Sequence, residues 1–348
     1  MRKFIMEWIE SKEINQMGKY GIFGASTFGL KVLDFLTKNI GISKDNVVFI
    51  DNDINKQGKF LSGIEIKNIN DLAIEIDRKI IIASQYYNEI EKQLLNLGVS
   101  NYFIMRYEML EYWNNVDKIE ELINMVEDEK SIKSIENIIK YRITKDKEYL
   151  KEIYEEVHYF PNEIIKLSKN EVMIDGGAYT GDTLKEFIKH TNGNFKKIYS
   201  FEPGERTFEE LQNTKDNLND DRIEIFKLGL YSDSERLLFD DTLGAGSTIS
   251  SCGNSYIDVV SLDKFVEDEN VSFIKMDIEG SELEALKGAK SIINKNRPKL
   301  AICIYHKIND LWNIPLYIRR LELNYKIYIR HHNDENEWET VCYAVPRY

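Results

Sequence analysis

A glycine-rich turn directly behind a short apolar run is the feature that most constrains the fold of this chain. Residues 172–174 (VMI) predict a buried strand, and residues 175–183 (DGGAYTGDT) follow without a break. Leu184, Phe187 and Ile188 then recur at helical spacing, so the turn should join a strand to an amphipathic helix. Glycines in such a turn let the backbone approach a ligand and adopt positive φ without a steric clash. This order predicts an open α/β sheet with a nucleotide-like ligand at the turn.

Carboxylates around the turn indicate the charge of that ligand. Glu202 ends the apolar run 198–201 about 20 residues beyond Gly181, the spacing at which a carboxylate accepts hydrogen bonds from ribose hydroxyls. Asp175 and Asp182 flank the turn, where they would disfavour a pyrophosphate. S-adenosylmethionine carries a sulfonium and an ammonium group, so acidic surroundings suit it better than a dinucleotide. Taken alone, the turn could equally be a tight structural turn without a ligand.

The turn belongs to a series of motifs that resembles the FkbM family of S-adenosylmethionine-dependent O-methyltransferases over roughly residues 157–348. The motifs are YFP at 159–161, DGGAYTGDT at 175–183, FEP at 201–203, VVSLD at 259–263, FIKMDIEGSE at 273–282, and His306. The resemblance implies a class I methyltransferase fold with a seven-stranded mixed sheet and S-adenosylmethionine as methyl donor. It also implies methylation of a hydroxyl on a sugar, glycan or secondary metabolite.

Turn and resemblance together predict two sets of site residues. The catalytic set is His306, Asp277 and Glu279. The cofactor-binding set comprises Asp175, Gly176, Gly177, Ala178, Tyr179, Gly181, Asp182, Thr183, Glu202, Pro203, Gly229, Leu230 and Asp277. In this fold the small-residue loop 242–255 can cover the cofactor and the acceptor.

His306 is the expected general base. It follows the apolar run 300–305 and should lie at the same sheet edge as Asp277. If the hydroxyl is about as acidic as water, with a pKa of about 15.7, a histidine of pKa about 6.5 is a closer match than a carboxylate of about 3.9. Asp277 would then orient the acceptor, and a divalent cation on Asp277 and Glu279 is an open alternative. Structural roles also stay open, because Glu279 and Ser281 could merely cap the next helix.

The chain divides into three predicted segments. Residues 1–105 predict a small, doubly wound Rossmann-like domain, residues 106–160 a helical connector, and residues 161–348 the methyltransferase domain. The N-terminal turn 24–29 (GASTFG) lacks the middle glycine that lets a backbone touch a pyrophosphate, although Asp51 could still meet a ribose. A nucleotide ligand and a role in assembly or acceptor positioning both stay open for this domain.

Composition limits the partners. The 348 residues carry a formal net charge of −13, which would repel a phosphate backbone, so no nucleic acid is expected. No apolar run approaches the length of a membrane span, and the N-terminus meets acidic residues too early for a signal peptide. We therefore expect a cytoplasmic protein without membrane insertion. Its partner should be a small-molecule or glycan acceptor, and a homodimer is compatible with the N-terminal extension.

Two other functions stay open on the sequence. A nicotinamide-dependent sugar-nucleotide reductase could use the turn 24–29 and Asp51. A non-enzymatic nucleotide- or glycan-binding protein could carry a degenerate methyltransferase domain. Against the second, the residues that degeneration usually removes are all present, namely Asp175, Gly181, Glu202, Asp277 and His306.

Overall fold

Two compact units, Met1–Asp117 and Lys118–Tyr348, make up the chain. The structure is a computed structural model that describes residues 1–72, 78–240, 248–249, 253–266 and 268–347. The boundary between the units falls within the predicted connector. No helix in the described part of the chain is long and apolar enough to cross a membrane.

Unit 1 is a doubly wound α/β domain. Its strands are β1 Lys19–Phe23, β2 Val47–Ile50, β3 Phe60–Leu61, β4 Ile64–Lys67, β5 Arg78–Ile82 and β6 Tyr102–Ile104. They pair in the order β3-β4-β2-β1-β5-β6, and only β3 runs antiparallel to its neighbour among these strands. The helices are α1 Arg2–Ser11, α2 Thr27–Phe35, α3 Ile69–Leu72, α4 Tyr87–Asn96 and α5 Tyr107–Asn114. The central strands consist mainly of buried Ile, Val and Phe, as expected for a parallel sheet covered on both faces.

The predicted connector is helical throughout much of its length. After α5 it contains α6 Val116–Met125, α7 Glu129–Thr144 and α8 Glu148–Lys151. Asp128 caps α7 by accepting a hydrogen bond from the Ser131 backbone N–H at 2.9 Å. The same carboxylate pairs at 2.6 Å with Arg330, which is only 2% exposed, so α7 is held against the sheet of unit 2.

Unit 2 contains the predicted seven-stranded mixed sheet. Its strands are β7 Val172–Gly176, β8 Lys197–Phe201, β9 Ile223–Phe226, β14 Phe273–Met276, β15 Lys299–Cys303, β16 Tyr325–His331 and β17 Thr340–Pro346. They lie in the order β16-β17-β15-β14-β7-β8-β9, with β17 antiparallel to both neighbours and the other pairs parallel. The predicted class I methyltransferase fold is therefore confirmed. The helices beside this sheet are α9 Asp182–His190, α10 Glu205–Leu218, α11 Leu262–Phe265, α12 Glu282–Lys287, α13 Lys290–Asn296 and α14 Asp310–Arg320.

A second, four-stranded sheet corrects one detail of the sequence-based interpretation. We expect a single third strand over 223–230, but β9 ends at Phe226 and Gly229–Leu230 forms a separate strand, β10. β10 pairs in parallel with β13 Ser255–Val260, beside β11 Glu235–Asp240 and β12 Thr248–Ile249. Gly229 allows this close pairing, because a Cβ there would lie 3.0 Å from the Val259 side chain.

Buried aromatic rings fill the core of unit 2. Phe160 stacks at a tilt against Phe187 and Phe273, with ring centroids 5.8 and 5.6 Å apart. All three are at most 1% exposed, and burial of each such side chain contributes about 1.5–3 kcal/mol. This packing fixes α9 and the segment around Phe160 against β14, one of the strands whose carboxyl ends form the candidate site.

Candidate active site

A cavity of about 820 Å³ opens at the carboxyl ends of β7, β8, β14 and β15 in unit 2. Its volume lies within the range of small-molecule sites. Most of the predicted site residues line it: Gly177, Tyr179, Asp182, Thr183, Glu202, Pro203, Gly229, Leu230, Asp277, Glu279 and His306. Of the loop 242–255, Thr248 and Ile249 also line it, whereas residues 242–247 and 250–252 lie outside the described residues.

Four residues expected to contact the cofactor, Asp175, Gly176, Ala178 and Gly181, do not line the cavity. Asp175 is 0% exposed, and its Oδ1 lies 3.1 Å from Nζ of Lys275 on the neighbouring strand. Lys275 also donates hydrogen bonds to the backbone carbonyls of Gly176 and Gly177. Although burial alone would lower the pKa of Lys275, the charges of Asp175 and Asp277 raise it, so the ammonium keeps its proton. The ion pair between Asp175 and Lys275 therefore attaches the turn to β14.

The turn itself depends on the absence of a side chain at Gly177. This residue has φ +72°, and a Cβ would lie 1.8 Å from the backbone carbonyl oxygen of Asp277. The turn then presents the Tyr179 backbone N–H, which donates to Oε2 of Glu202 at 3.0 Å. The absence of a side chain at Gly177 thus lets the turn lie against the backbone at the end of β14.

Glu202 is held by three donors. Besides Tyr179, the Gly204 backbone N–H and the Thr207 hydroxyl donate to Oε1 at 3.0 and 2.7 Å. Burial raises the pKa of Glu202 despite these hydrogen bonds. Its orientation is fixed before any ligand arrives, as a carboxylate that accepts ribose hydroxyls requires.

His306 lies among three carboxylates. Its Nδ1 is 3.0 Å from Glu282, and its Nε2 is 3.4 Å from Asp277 and 3.3 Å from Glu279. Burial alone would lower the pKa of His306, but the charge of Glu282 and hydrogen bonds to Glu279 and Glu282 raise it to about 11. His306 is therefore an imidazolium at neutral pH.

This charge state is at odds with the general-base role expected for His306. An imidazolium has no free lone pair with which to accept a hydroxyl proton. The physical reason is Glu282, which is 0% exposed and also accepts a hydrogen bond from the Ile278 backbone N–H. The carboxylate is thereby fixed beside the imidazole ring and stabilises its charged form.

Two tyrosine hydroxyls donate hydrogen bonds to the carboxylate of Asp277. The Tyr159 hydroxyl donates to Oδ2 at 2.8 Å, and the Tyr305 hydroxyl donates to Oδ1 at 2.9 Å. Burial would raise the pKa of Asp277, but the charges of Lys275 and His306 and the tyrosine hydrogen bonds lower it. Asp277 is therefore an ionised, rigidly held carboxylate at the centre of the cavity wall.

The same cluster offers ligand atoms for a metal ion. Asp277, Glu282 and His306 each contribute one atom, all within 4.8 Å of one another. This set shares Asp277 with the pair expected from the sequence but has Glu282 in place of Glu279. The two nitrogens of His306 face different carboxylates. A metal cation at this position would have to replace a proton of the imidazolium, whose charge already balances these carboxylates.

The far side of the cavity contains residues that sequence reasoning missed. His158, Trp338 and Glu339 line it, with Trp338 60% exposed. Glu339 directly precedes β17, whose antiparallel direction starts it at the carboxyl edge of β15. No local motif indicates this placement. Tyr159, Lys275 and Glu282, by contrast, lie within the quoted motifs, which could have marked them.

Four non-glycine residues that line the cavity have a left-handed backbone, as do eight others elsewhere in the described part of the chain. Tyr159, Tyr179, Glu279 and Glu339 all have positive φ, between +47° and +63°. Such conformations cost about 1–3 kcal/mol each, and they persist where the surrounding structure imposes them, often at functional sites.

The turn of unit 1 uses its carboxylate differently. Asp51 accepts hydrogen bonds through Oδ2 from the Ala25 backbone N–H and the Lys56 ammonium at 3.0 and 2.9 Å. A Cβ on Gly24 would lie 2.3 Å from the carbonyl oxygen of Ala83. Asp51 thus bonds to its own turn, as Glu202 does, but it is also paired with the ammonium of Lys56.

Comparison with known families decides the class of the protein. The model of the methyltransferase FkbM domain matches residues 175–334, which include the glycine-rich turn, Glu202, Asp277 and His306. Residues 175–334 are thus an FkbM methyltransferase domain. A second model, described as C2185-like, N-terminal, matches residues 16–105. None of the curated proteins compared with the chain is significantly similar to it.

A solved structure shares the fold of this chain. Methyltransferase FkbM from Methylobacillus flagellatus KT is 23% identical with a TM-score of 0.61, and the match covers 98% of this chain and 93% of that one. An rRNA methylase from Streptococcus thermophilus is 15% identical with a TM-score of 0.36, covering 52% of this chain and 89% of that one.

Proposed function

We propose that this FkbM methyltransferase transfers the methyl group of S-adenosylmethionine to a hydroxyl of a sugar, glycan or secondary-metabolite acceptor. The observation that carries the proposal is that the preorganised Glu202 and the cluster around Asp277 and His306 line one and the same cavity. The acceptor class rests on the family resemblance. Oxygen as the methylated atom suits a cavity lined by carboxylates that can accept a hydroxyl proton.

The charge of the cavity favours a cationic donor. Asp182, Glu202, Asp277, Glu279 and Glu339 line it, against the cations Lys275 and His306. Both cations lie within 3.5 Å of carboxylates. Excess negative charge would repel a pyrophosphate and attract the sulfonium and ammonium groups of S-adenosylmethionine. When bound, this cofactor supplies a methyl group activated by positively charged sulfur.

The residues of the chain then supply binding and alignment. Glu202 accepts the ribose hydroxyls, and the backbone of the turn 177–183 lies against the cofactor. Tyr159 and Tyr305 hold Asp277 in one orientation, so that the carboxylate can position the acceptor hydroxyl. Alignment of the acceptor oxygen with the methyl carbon and sulfur is expected to be a main source of rate.

Calorimetric titration with S-adenosylmethionine tests the donor site. We expect micromolar binding by the wild-type protein and a loss of about 10- to 100-fold for Glu202→Ala, the cost of a hydrogen bond to a charged group. Glu205→Ala is the matched control, because Glu205 is an exposed acid on the same segment, outside the cavity. Wild-type protein that binds NADH or NADPH but not S-adenosylmethionine would contradict the proposal and favour the reductase.

A radiolabelled methyl donor tests the transfer. Label should appear on an acceptor from a panel of glycosides and alcohols, and prior treatment with EDTA should leave the rate unchanged. Transfer only to nitrogen acceptors would contradict the assignment of oxygen as the methylated atom.

A further inference from the structure

The reaction proposed above needs a group that accepts the hydroxyl proton, and the obvious candidates are occupied. Both ring nitrogens of His306 face carboxylates, Nδ1 at 3.0 Å from Glu282 and Nε2 at 3.3 and 3.4 Å from Glu279 and Asp277. Both oxygens of Asp277 accept hydrogen bonds from tyrosine hydroxyls, and the two oxygens of Glu202 accept from the Tyr179 backbone N–H and the Thr207 hydroxyl. A base must therefore be sought elsewhere in the cavity wall.

Glu339 is placed to meet an acceptor. It lines the cavity next to the exposed ring of Trp338, and its side chain is 31% exposed. Its φ of +63° is imposed at the last residue before β17, where the backbone carbonyl accepts a hydrogen bond from the His332 N–H. The side chain therefore starts from a fixed backbone position while it keeps access to solvent, through which a proton can leave.

The one neighbour within ion-pair distance of the Glu339 carboxylate in the described structure is a histidine that carries no charge. Oε2 of Glu339 lies 3.3 Å from Nε2 of His158. The His158 ring stacks on Tyr159 and His332, with centroids 3.7 and 4.7 Å apart. Burial and the nearby His332 lower the pKa of His158 to about 3, so a neutral ring lies beside the carboxylate and does not hold it in its charged form.

The surrounding charges set the proton affinity of Glu339. Burial and the charges of Asp277 and Asp182 raise its pKa, whereas those of Lys275 and His306 lower it, with a balance at about 7. A carboxylate tuned to this value is well matched to general-base catalysis at neutral pH.

We propose that Glu339, oriented by His158, is the general base of methyl transfer. The acceptor oxygen forms its bond to the methyl carbon, and the electron pair of the broken carbon–sulfur bond stays on sulfur, which becomes a neutral thioether. The hydroxyl proton passes to the Glu339 carboxylate as the new bond forms and later leaves to solvent. This inference rests on the proposed O-methyl transfer and adds the residue that removes the proton.

Proton release on cofactor binding tests the placement without any turnover. A cation bound in this cavity stabilises ionised Glu339, so binding of S-adenosylmethionine at pH 7 should release up to about 0.5 proton. The released fraction is the slope of calorimetric enthalpy against the ionisation enthalpy of the buffer. Glu339→Gln should bind S-adenosylmethionine within about twofold of wild type but release few protons. Glu335→Gln, an exposed acid between the same two strands, should release as many as wild type.

Steady-state kinetics of methyl transfer provide a second test of the role of Glu339. With any acceptor that the wild-type protein methylates, Glu339→Gln should lower kcat by about 10²- to 10⁴-fold, the usual contribution of a general base. Wild-type kcat/KM should fall tenfold per pH unit below about pH 7, and Glu339→Gln should lack this break. Unchanged proton release or unchanged kcat in Glu339→Gln would overturn the inference. Failure of the wild-type protein to bind S-adenosylmethionine would instead overturn the proposed function.

Discussion

At the scale of single residues, His306 shows how neighbours decide the chemistry of a side chain. A histidine beside one carboxylate can exchange a proton near neutral pH, but three carboxylates shift the balance far towards the imidazolium. Glu282 contributes most, because it is fully buried at 3.0 Å from Nδ1. His306 thus acts as a fixed positive charge that keeps Asp277 ionised.

This role predicts how stability depends on pH. The pKa of His306 rises from about 6.5 in the unfolded chain to about 11 in the folded one. The resulting stabilisation is complete below about pH 6.5 and is lost as the pH rises towards 11. At pH 7, His306→Gln should cost about 3–5 kcal/mol, because it leaves buried carboxylates without their partner. The difference between wild type and variant in urea unfolding should shrink steadily from pH 7 to pH 10.

A histidine outside the cavity supplies the control. His190 lies at the end of α9, and His190→Gln should leave the pH dependence of unfolding as in wild type. A difference between wild type and His306→Gln that stays constant from pH 7 to pH 10 would show that His306 carries no stabilising charge.

Sequence could predict which of these residues meet, but not their charge states. His306, Asp277 and Glu279 follow two apolar runs whose carboxyl ends share a sheet edge, and the structure places all three in one cavity. The proton on His306 depends on Glu282, which points back to the ring only after the turn 278–281 has folded. Glu339 carries no local signal, since its place depends on how β17 inserts between β15 and β16.

At the scale of elements, the turn between β7 and α9 joins two strands as well as a strand and a helix. Its Asp175 end is fastened to Lys275 of β14, and Gly177 lies against the backbone of Asp277 at the end of the same strand. The sequence predicted β7, the turn and α9 from local periodicity. It could not predict that Asp175 would be buried, because its partner is 100 residues further along the chain.

A pair of glycine substitutions separates this close approach from backbone strain. Gly177 and Gly193 have nearly the same φ, +72° and +70°, but a Cβ meets no atom within 4 Å at Gly193. Gly193→Ala should cost about 1–2 kcal/mol for the left-handed conformation alone. Gly177→Ala should cost about 1–3 kcal/mol more, from overpacking against Asp277, and should weaken binding of S-adenosylmethionine. If denaturant unfolding gave the same loss of unfolding free energy for both variants, the turn would accommodate the added Cβ without displacing β14.

At the scale of the whole molecule, two units carry the same local pattern of strand, glycine-containing turn and helix. In unit 1 the acid after β2 bonds to its own turn through Ala25 and Lys56. In unit 2 the acid after β8 is held by the turn and by α10, and it lines a cavity of about 820 Å³. Similar sequence patterns therefore lead to different electrostatic surroundings.

Hydrogen exchange should locate the donor site in unit 2. S-adenosylmethionine at saturating concentration should slow exchange in peptides that cover 176–183 and 201–207, because backbone N–H groups there hold the ligand-facing turn and Glu202. Peptides covering 20–30 and 47–56 should exchange as in the free protein. Glu202→Ala at the same cofactor concentration should lose most of the protection. Protection of residues 20–30 by NADH, with none at 176–183 by S-adenosylmethionine, would contradict this assignment, because it would place the nucleotide site in the N-terminal unit despite the bonds that occupy Asp51.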